Sequence, residues 1–355
     1  MMSGDYPVIL GTGTVLPDTE AALLEVPEGL GEPRRARRCV PAPGKGVLPS
    51  AAVRRLGRTQ RLAMTAIHHA LEDAGIPIDE RDNVAVCVGT AWGELGHTYT
   101  FLENMIVQKE ENPKPASFVN SVHNAIAGQI GLTLKCKGEN HTHIHSSVSF
   151  ESALWQAVGI LNQRRADKVV VCGVDELNPY IVVAEESRRH SVSGEEIIPG
   201  EGAAAIVLGR DEGMDNQPRL RAMKFRPWSI ERVDARPVGM EMTFIDRVLA
   251  EAQLAASDVD LVLCTTTGSH ELDNIYERVV GELSKSAGRD IPFGGYHQMA
   301  GEYRTVSAVG VALAAQKIKN GTFPEILKLD LVEADNMLVY SLSDTGFQSA
   351  CVVGR

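Results

Sequence analysis

No apolar run in this 355-residue chain approaches the roughly 20 residues needed to cross a bilayer, so no membrane span is expected. The opening MMSGDYPVIL lacks the charged-then-apolar pattern of a secretory leader, and a cytoplasmic protein is expected. The six cysteines (Cys39, Cys87, Cys136, Cys172, Cys264, Cys351) contain no CxxC pair and sit in apolar contexts such as VAVCVG and LVLCTT, which read as buried free thiols. Neither a GxGxxG nor a Walker pattern follows Gly11 and Gly13, which leaves a sharp turn in place of a nucleotide loop. A net charge of −11 argues against non-specific binding to nucleic acid or anionic membrane. No cofactor is expected.

The composition that remains, 44% apolar and 23% charged, is that of a globular protein with a sizeable core, in one large domain or two ordinary ones. The chain is organised around GENHTHIHSSVSFESALWQA, residues 138–157, followed by VGILNQRRADKVVVCGVDE. A polar alternating run ends at Ser146 and Ser147, then Ala153, Leu154, Ala157, Val158 and Leu161 recur at helical spacing, and Val169–Val171 form an apolar strand. Strand, tight turn, buried helix and strand place a side chain at a helix N-terminus, where unpaired N–H groups favour negative charge. Ser147 is therefore the first candidate nucleophile, against the alternative of a simple helix N-cap.

Elsewhere, Val8–Leu10 with Gly11-Thr12-Gly13 reads as a strand and glycine turn, and Glu20–Val53 as an exposed excursion carrying the basic run Arg34–Arg38. A helix is expected over 57–76, a buried strand over Val84–Val88, irregular chain from Ala91 to Pro115, and one helix in SFVNSVHNAIAGQIGL. A glycine-entered strand covers Ala205–Leu208 and a polar linker 209–219. The second half repeats the order with helices at 244–256, 274–283 and 305–319 and strands at Leu261–Cys264, 327–329, 336–341 and 349–353. Two strand-and-helix halves, 1–210 and 220–355, imply a duplicated, layered α/β fold.

In this order and spacing, the motifs Ile9–Thr14, NSVHNAIAGQIG, the 138–176 segment and GEGAAAIVLGR resemble the β-ketoacyl synthase branch of the thiolase-like superfamily over nearly the whole chain. The resemblance implies a thiolase-like five-layered α-β-α-β-α fold and a dimer. Such synthases use a cysteine nucleophile and two histidines to condense acyl thioesters. Laid on that pattern, the cysteine falls on Ser147, the first histidine on Thr265 in TTTGSHELD, and the second on Glu302, with His297 in the place of a lysine. The C-terminal GFGG-type loop is reduced to DTGFQSA, with Gly346 left. A serine needs an adjacent base to attack a thioester, threonine cannot carry a histidine's charge, and an ionised Glu302 would repel an enolate.

The SVHNA and GEY motifs resemble the chain-length-factor and short ketosynthase-like group, which lacks the triad. That likeness implies a non-condensing partner of an active ketosynthase, in fatty-acid or polyketide (aryl-polyene-like) synthesis, working with an acyl carrier protein as a heterodimer or a homodimer. The alternative keeps Ser147 active in a relay with His297 and Glu302, as a serine-dependent acyltransferase or thioesterase. His123, Asn124, Thr265, Thr267 and Gly346 are the candidate pocket residues, and Arg54, Arg55, Arg58 and Arg61 the candidate docking cluster for an acidic carrier protein. His141, His143 and His145 alternate as metal ligands can, but only Glu139 extends the row and no cysteine joins it, so no metal is expected.

Overall fold

The computed structural model describes residues 6–355 apart from 18–20, 40–43, 45–46, 49–52, 54–55, 110–114, 191–196, 212, 215, 228–236, 266–269, 328 and 330–332. The strands are β1 (Val8–Val15), β2 (Ala22–Leu24), β3 (Arg34–Ala36), β4 (Val84–Gly89), β5 (Asn140–His143), β6 (Lys168–Asp175), β7 (Gly202–Gly209), β8 (Arg219–Pro227), β9 (Leu261–Cys264), β10 (Phe293–Gly295), β11 (Asn336–Leu342) and β12 (Phe347–Gly354). β2 and β3 form a separate antiparallel pair, so part of the expected loose excursion is ordered. The other ten form one sheet in the order β10-β9-β11-β12-β8-β1-β7-β6-β4-β5.

That sheet is two repeats of one pattern. β1 and β7 pair antiparallel, as do β7 and β6, whereas β6, β4 and β5 run parallel. β8 and β12 pair antiparallel, as do β12 and β11, whereas β11, β9 and β10 run parallel. The repeats meet at the single pair Val8 and Arg219.

Strand alternation sorts the apolar side chains into three cores. On β6, Val169 and Val171 enter a central core, while Val170, Cys172 and Val174 enter an outer one. On β9, Leu261 and Leu263 enter the same central core, and Val262 and Cys264 a second outer one. The central core is filled by the helices Ser149–Asn162 and Ser307–Asn320. Arg58–Asp73 and Ala125–Leu134 cover one outer face, Val238–Glu251 and His270–Ala287 the other. Helix, sheet, helix, sheet, helix gives five layers, as the resemblance implies.

The structure corrects four local readings. Gly11 and Gly13 are not a turn: β1 runs through them, and a Cβ would lie 2.4 Å from the Ala70 carbonyl oxygen at Gly11 and 2.1 Å from that of Ala66 at Gly13. The glycines let the Arg58–Asp73 helix lie directly on the strand. The chain between Ala91 and Pro115 contains a helix, Leu95–Val107, whose apolar residues face outward and so gave no inward periodicity. The SFVNSVHNA helix is two, Pro115–Ser121 and Ala125–Leu134, broken at 122–124. Of the strand expected at 327–329, Leu327 instead ends a short helical turn, Glu325–Leu327, Leu329 lies in no strand, and residue 328 is outside the described residues.

Substituting Gly13→Ala is expected to cost at least ~2 kcal/mol, because backbone on both sides must move. Gly128→Ala, in a helix where a Cβ meets nothing within 4 Å, is expected to stabilise by about 0.5–1 kcal/mol. Chemical denaturation of the two variants checks both signs.

Candidate functional site

The turn between β5 and the Ser149–Asn162 helix is a tight one. Ser146 adopts φ 51°, in the left-handed region, and Ser146–Val148 form one 3₁₀ turn before the α-helix begins. Ser149 holds it shut: its Oγ accepts from the His145 N–H at 2.8 Å and donates to the Ser146 carbonyl at 2.7 Å. Ser149 thus fastens the turn itself, and Ser147 lines the cleft.

That cleft is lined by Ser147, Val148, Thr265, Glu302, Tyr303, Arg304, Val306, Ser307, Ser341, Leu342, Ser343, Phe347 and Ser349. Ser147 and Glu302, 155 residues apart in sequence, therefore share one cavity as expected from the sequence. The hydroxyl of Ser147 is not paired to an imidazole. It shares a 2.6 Å hydrogen bond with Thr345 Oγ1, which in turn bonds Ser343 Oγ at 2.8 Å. Both partners belong to the β11–β12 turn, where Gly346 takes φ 82°. Thr265 Oγ1 is likewise engaged, with the Tyr276 hydroxyl at 2.7 Å.

His297 is buried and stands outside the cleft lining. Its Nδ1 lies 3.6 Å from Glu302 Oε2, an ion-pair distance beyond hydrogen-bonding range. The structure therefore joins two members of the proposed relay to each other and places the third, Ser147, on a threonine.

Glu302 is positioned by a crossing of two glycine segments. Gly200 donates its N–H to the Glu302 carbonyl at 2.8 Å, and the Glu302 N–H reaches the Ile198 carbonyl at 2.9 Å. A Cβ on Gly200 would sit 2.1 Å from the Ala300 carbonyl oxygen, and Gly301 holds φ 70°. The next residue, Glu201, is fully buried: its carboxylate accepts from both Arg58 Nε (2.7 Å) and an Arg58 terminal nitrogen, the Cys39 N–H (2.9 Å) and the Leu177 N–H (3.0 Å). Arg58 accordingly turns its charge inward, away from any carrier protein. Arg61 reaches the Gly57 carbonyl at 3.3 Å, while Arg54, Arg55 and Thr267 lie outside the described residues. His123 and Asn124 are exposed on the break between two helices, with His123 against Gly93, and do not line the cleft.

Several important residues carry little signal in the sequence. Arg304 is buried and ion-paired to Asp344 of the β11–β12 turn (2.6 Å) and to Glu185 of the helix Pro179–His190. Asp175, at the end of β6, accepts from Thr90 Oγ1, the Ala91 N–H, and the N–H and hydroxyl of Thr305 at 2.8–3.1 Å. Burial lifts its carboxyl above the ordinary range against the pull of those donors. A charged residue closing an all-apolar strand was the one available signal for Asp175.

The chain belongs to the β-ketoacyl synthase family, whose N-terminal domain matches residues 35–213. It is 24% identical over 349 residues to the tetracenomycin polyketide synthase ketoacyl synthase beta subunit of Streptomyces glaucescens, covering 87% of this chain and 84% of that one. Among solved structures, the fold is similar to a β-ketoacyl synthase from Burkholderia phymatum (TM-score 0.78, 16% identity, 99% and 100% of the two chains). It is also similar to a ketosynthase in complex with its chain length factor from Xenorhabdus doucetiae (TM-score 0.76, 14% identity, all of both chains).

Beside the site, burial pushes the Glu94 carboxyl up to about 8, aided by the nearby Glu176, which burial itself raises to about 7. Glu94 accepts the Gln60 N–H and so caps the Arg58–Asp73 helix from a distant loop. A raised carboxyl contributes stability that is fully present below its unfolded value of 4.5 and lost as pH rises through about 8. Glu94→Gln is therefore expected to gain stability relative to the parent as pH rises from 6 to 9 (on the order of 1 kcal/mol or more), read as a flatter melting temperature against pH.

Proposed function

We propose that this chain is the non-condensing, chain-length-factor-like member of a ketosynthase pair, bounding the space into which the partner extends an acyl chain. The observation that carries the reading is what surrounds Ser147, the residue this reading puts in the nucleophile's seat. Within a ketosynthase fold, Ser147 holds that seat, its hydroxyl is tied to Thr345, and the cleft offers a carboxylate, Glu302, where a developing oxyanion would need a hydrogen-bond donor. The likeness to a ketoacyl synthase beta subunit and to a ketosynthase–chain length factor complex supports the same assignment. Polyketide-like synthesis, in the manner of aryl polyenes, with a substrate carried by an acyl carrier protein, is the setting it fits.

Pairing requires a face, and the end of the sheet supplies one. Among the described residues β5 pairs only with β4, and no described strand lies along its other edge of N–H and C=O groups. Leu132 on the outer-layer helix is 71% exposed and Trp155 on the middle-layer helix 64%, so large apolar side chains flank that edge from both layers. Such an edge fits another subunit of the same layered fold, whose strand would continue the sheet. The exposed Leu102, Ile106, Val107, Phe118 and Val119 extend the apolar area.

Co-expression with an active ketosynthase from the same source is expected to yield a stable heterodimer, and Trp155→Glu with Leu132→Asp to abolish co-elution while leaving this subunit folded. A homodimer that ignores the ketosynthase contradicts the reading. The contact between His297 and Glu302 favours one rival, a serine-dependent acyltransferase or thioesterase. Under the proposed function, Ser147→Ala leaves the rate of acyl-thioester hydrolysis at background; a fall of ~100-fold or more would instead establish the serine enzyme.

A further inference from the structure

The edge strand that the proposed pairing uses carries an unusual row of imidazoles. We propose that this row makes pairing along β5 conditional on pH: the partner's strand docks while His143 is neutral and is released as it takes up a proton. The inference rests on β5 being the pairing edge.

The geometry sets all three histidines on one face. Asn140 lies toward Gly131 of the outer-layer helix, whereas His145 Nδ1 meets Ser152 Oγ of the Ser149–Asn162 helix at 3.1 Å, on the opposite side. Trp155 stands one turn along the same helix, so the imidazoles and the exposed indole share the middle-layer surface. The His141 and His143 ring centroids are 6.3 Å apart. Among the described residues, charged groups against the row are Glu139, which precedes β5, and Arg165, which follows the middle-layer helix. The Glu139 carboxylate contacts His141 Nε2 at 3.0 Å and Arg165. On the neighbouring β4, Cys87 and Gly89 oppose His141 and His143; the Cys87 thiol is pushed up by burial to about 12 and is neutral.

One carboxylate therefore already balances one guanidinium, and each proton added to the row adds an uncompensated positive charge. On the free edge water screens those charges. Under a docked strand it cannot, and the charges sit about one Debye length or less apart in a desolvated interface. Two polar atoms of β5, His143 Nε2 and Thr142 Oγ1, are shielded and have no partner among the described residues. Burial has already drawn the His143 imidazole below its ordinary value, with His141 adding to the shift, and a partner deepens that burial. Linkage then fixes the sign. Affinity is full above the imidazole range and falls as pH drops through it, by roughly tenfold per pH unit for each proton taken up.

The test is the dissociation constant of this chain with its co-expressed ketosynthase, measured by calorimetry at pH 7.5 and 5.5. The expected result is at least roughly tenfold weaker binding at the lower pH, with His141→Gln/His143→Gln losing most of the pH dependence whatever its affinity at pH 7.5. Equal affinity at both pH values, or the same dependence in the variant, overturns the proposal while leaving the pairing intact. Absence of any complex at pH 7.5 removes the pairing edge, and this inference with it. Should the variant misfold, imidazole titration by NMR in the free and bound parent protein decides: a downward shift of His143 on binding supports the switch, and an unchanged value refutes it.

Discussion

The site depends on a steric constraint, the crossing of two backbones at Gly200 and Gly301. No side chain fits between them, since a Cβ on Gly200 would overlap the Ala300 carbonyl. The same crossing presents Glu302, Tyr303 and Arg304 to the cleft and leaves Glu201 to gather Arg58, Cys39 and Leu177 behind it. Two distant parts of the chain are thereby locked together before any side-chain chemistry begins. The cleft owes its shape to this lock and its contents to the sequence displayed upon it.

Those contents are unusual for the nucleophile's seat that the proposed function assigns to Ser147. The turn geometry is that of an activated residue: strand, strained Ser146, short helical turn and helix N-terminus. The partners are those of a structural clasp. Thr345 takes the Ser147 hydroxyl, and beside it Asp344 takes Arg304, which also holds Glu185. Hydroxyls and a buried ion pair thus pin the β11–β12 turn from two sides. Breaking one arm of such a buried pair costs about 3–5 kcal/mol, so the turn is held closed by more than loop packing.

How much of this was legible in the sequence varied with the kind of force involved. The two-sided apolar strands, such as KVVVCGVD and GAAAIVLG, announced a layered α/β fold because strands buried on both faces cannot tolerate polar alternation. The motifs around Ser147 and Glu302 announced a shared cleft. Gly11 and Gly13 misled, because a glycine required by a helix lying on a strand looks the same in sequence as one required by a turn. Leu95–Val107 was missed because a helix that offers its apolar face outward has no inward stripe to detect. Arg58 looked like a surface cation, since nothing local in GRTQR reveals a carboxylate 143 residues away. Thr345, Asp344 and Arg304 were invisible for the same reason: their roles are long-range pairings between residue types that are ordinary in loops.

The central claim is that Ser147 occupies a catalytic seat without performing its chemistry, while the partner subunit does the condensing. Intact-mass analysis of the co-purified pair after brief exposure to an acyl thioester tests it most directly. The expected result is one acyl adduct, on the ketosynthase subunit, with this chain at its unmodified mass and with Ser147→Ala changing nothing. An acyl adduct on this chain that disappears in Ser147→Ala would contradict it.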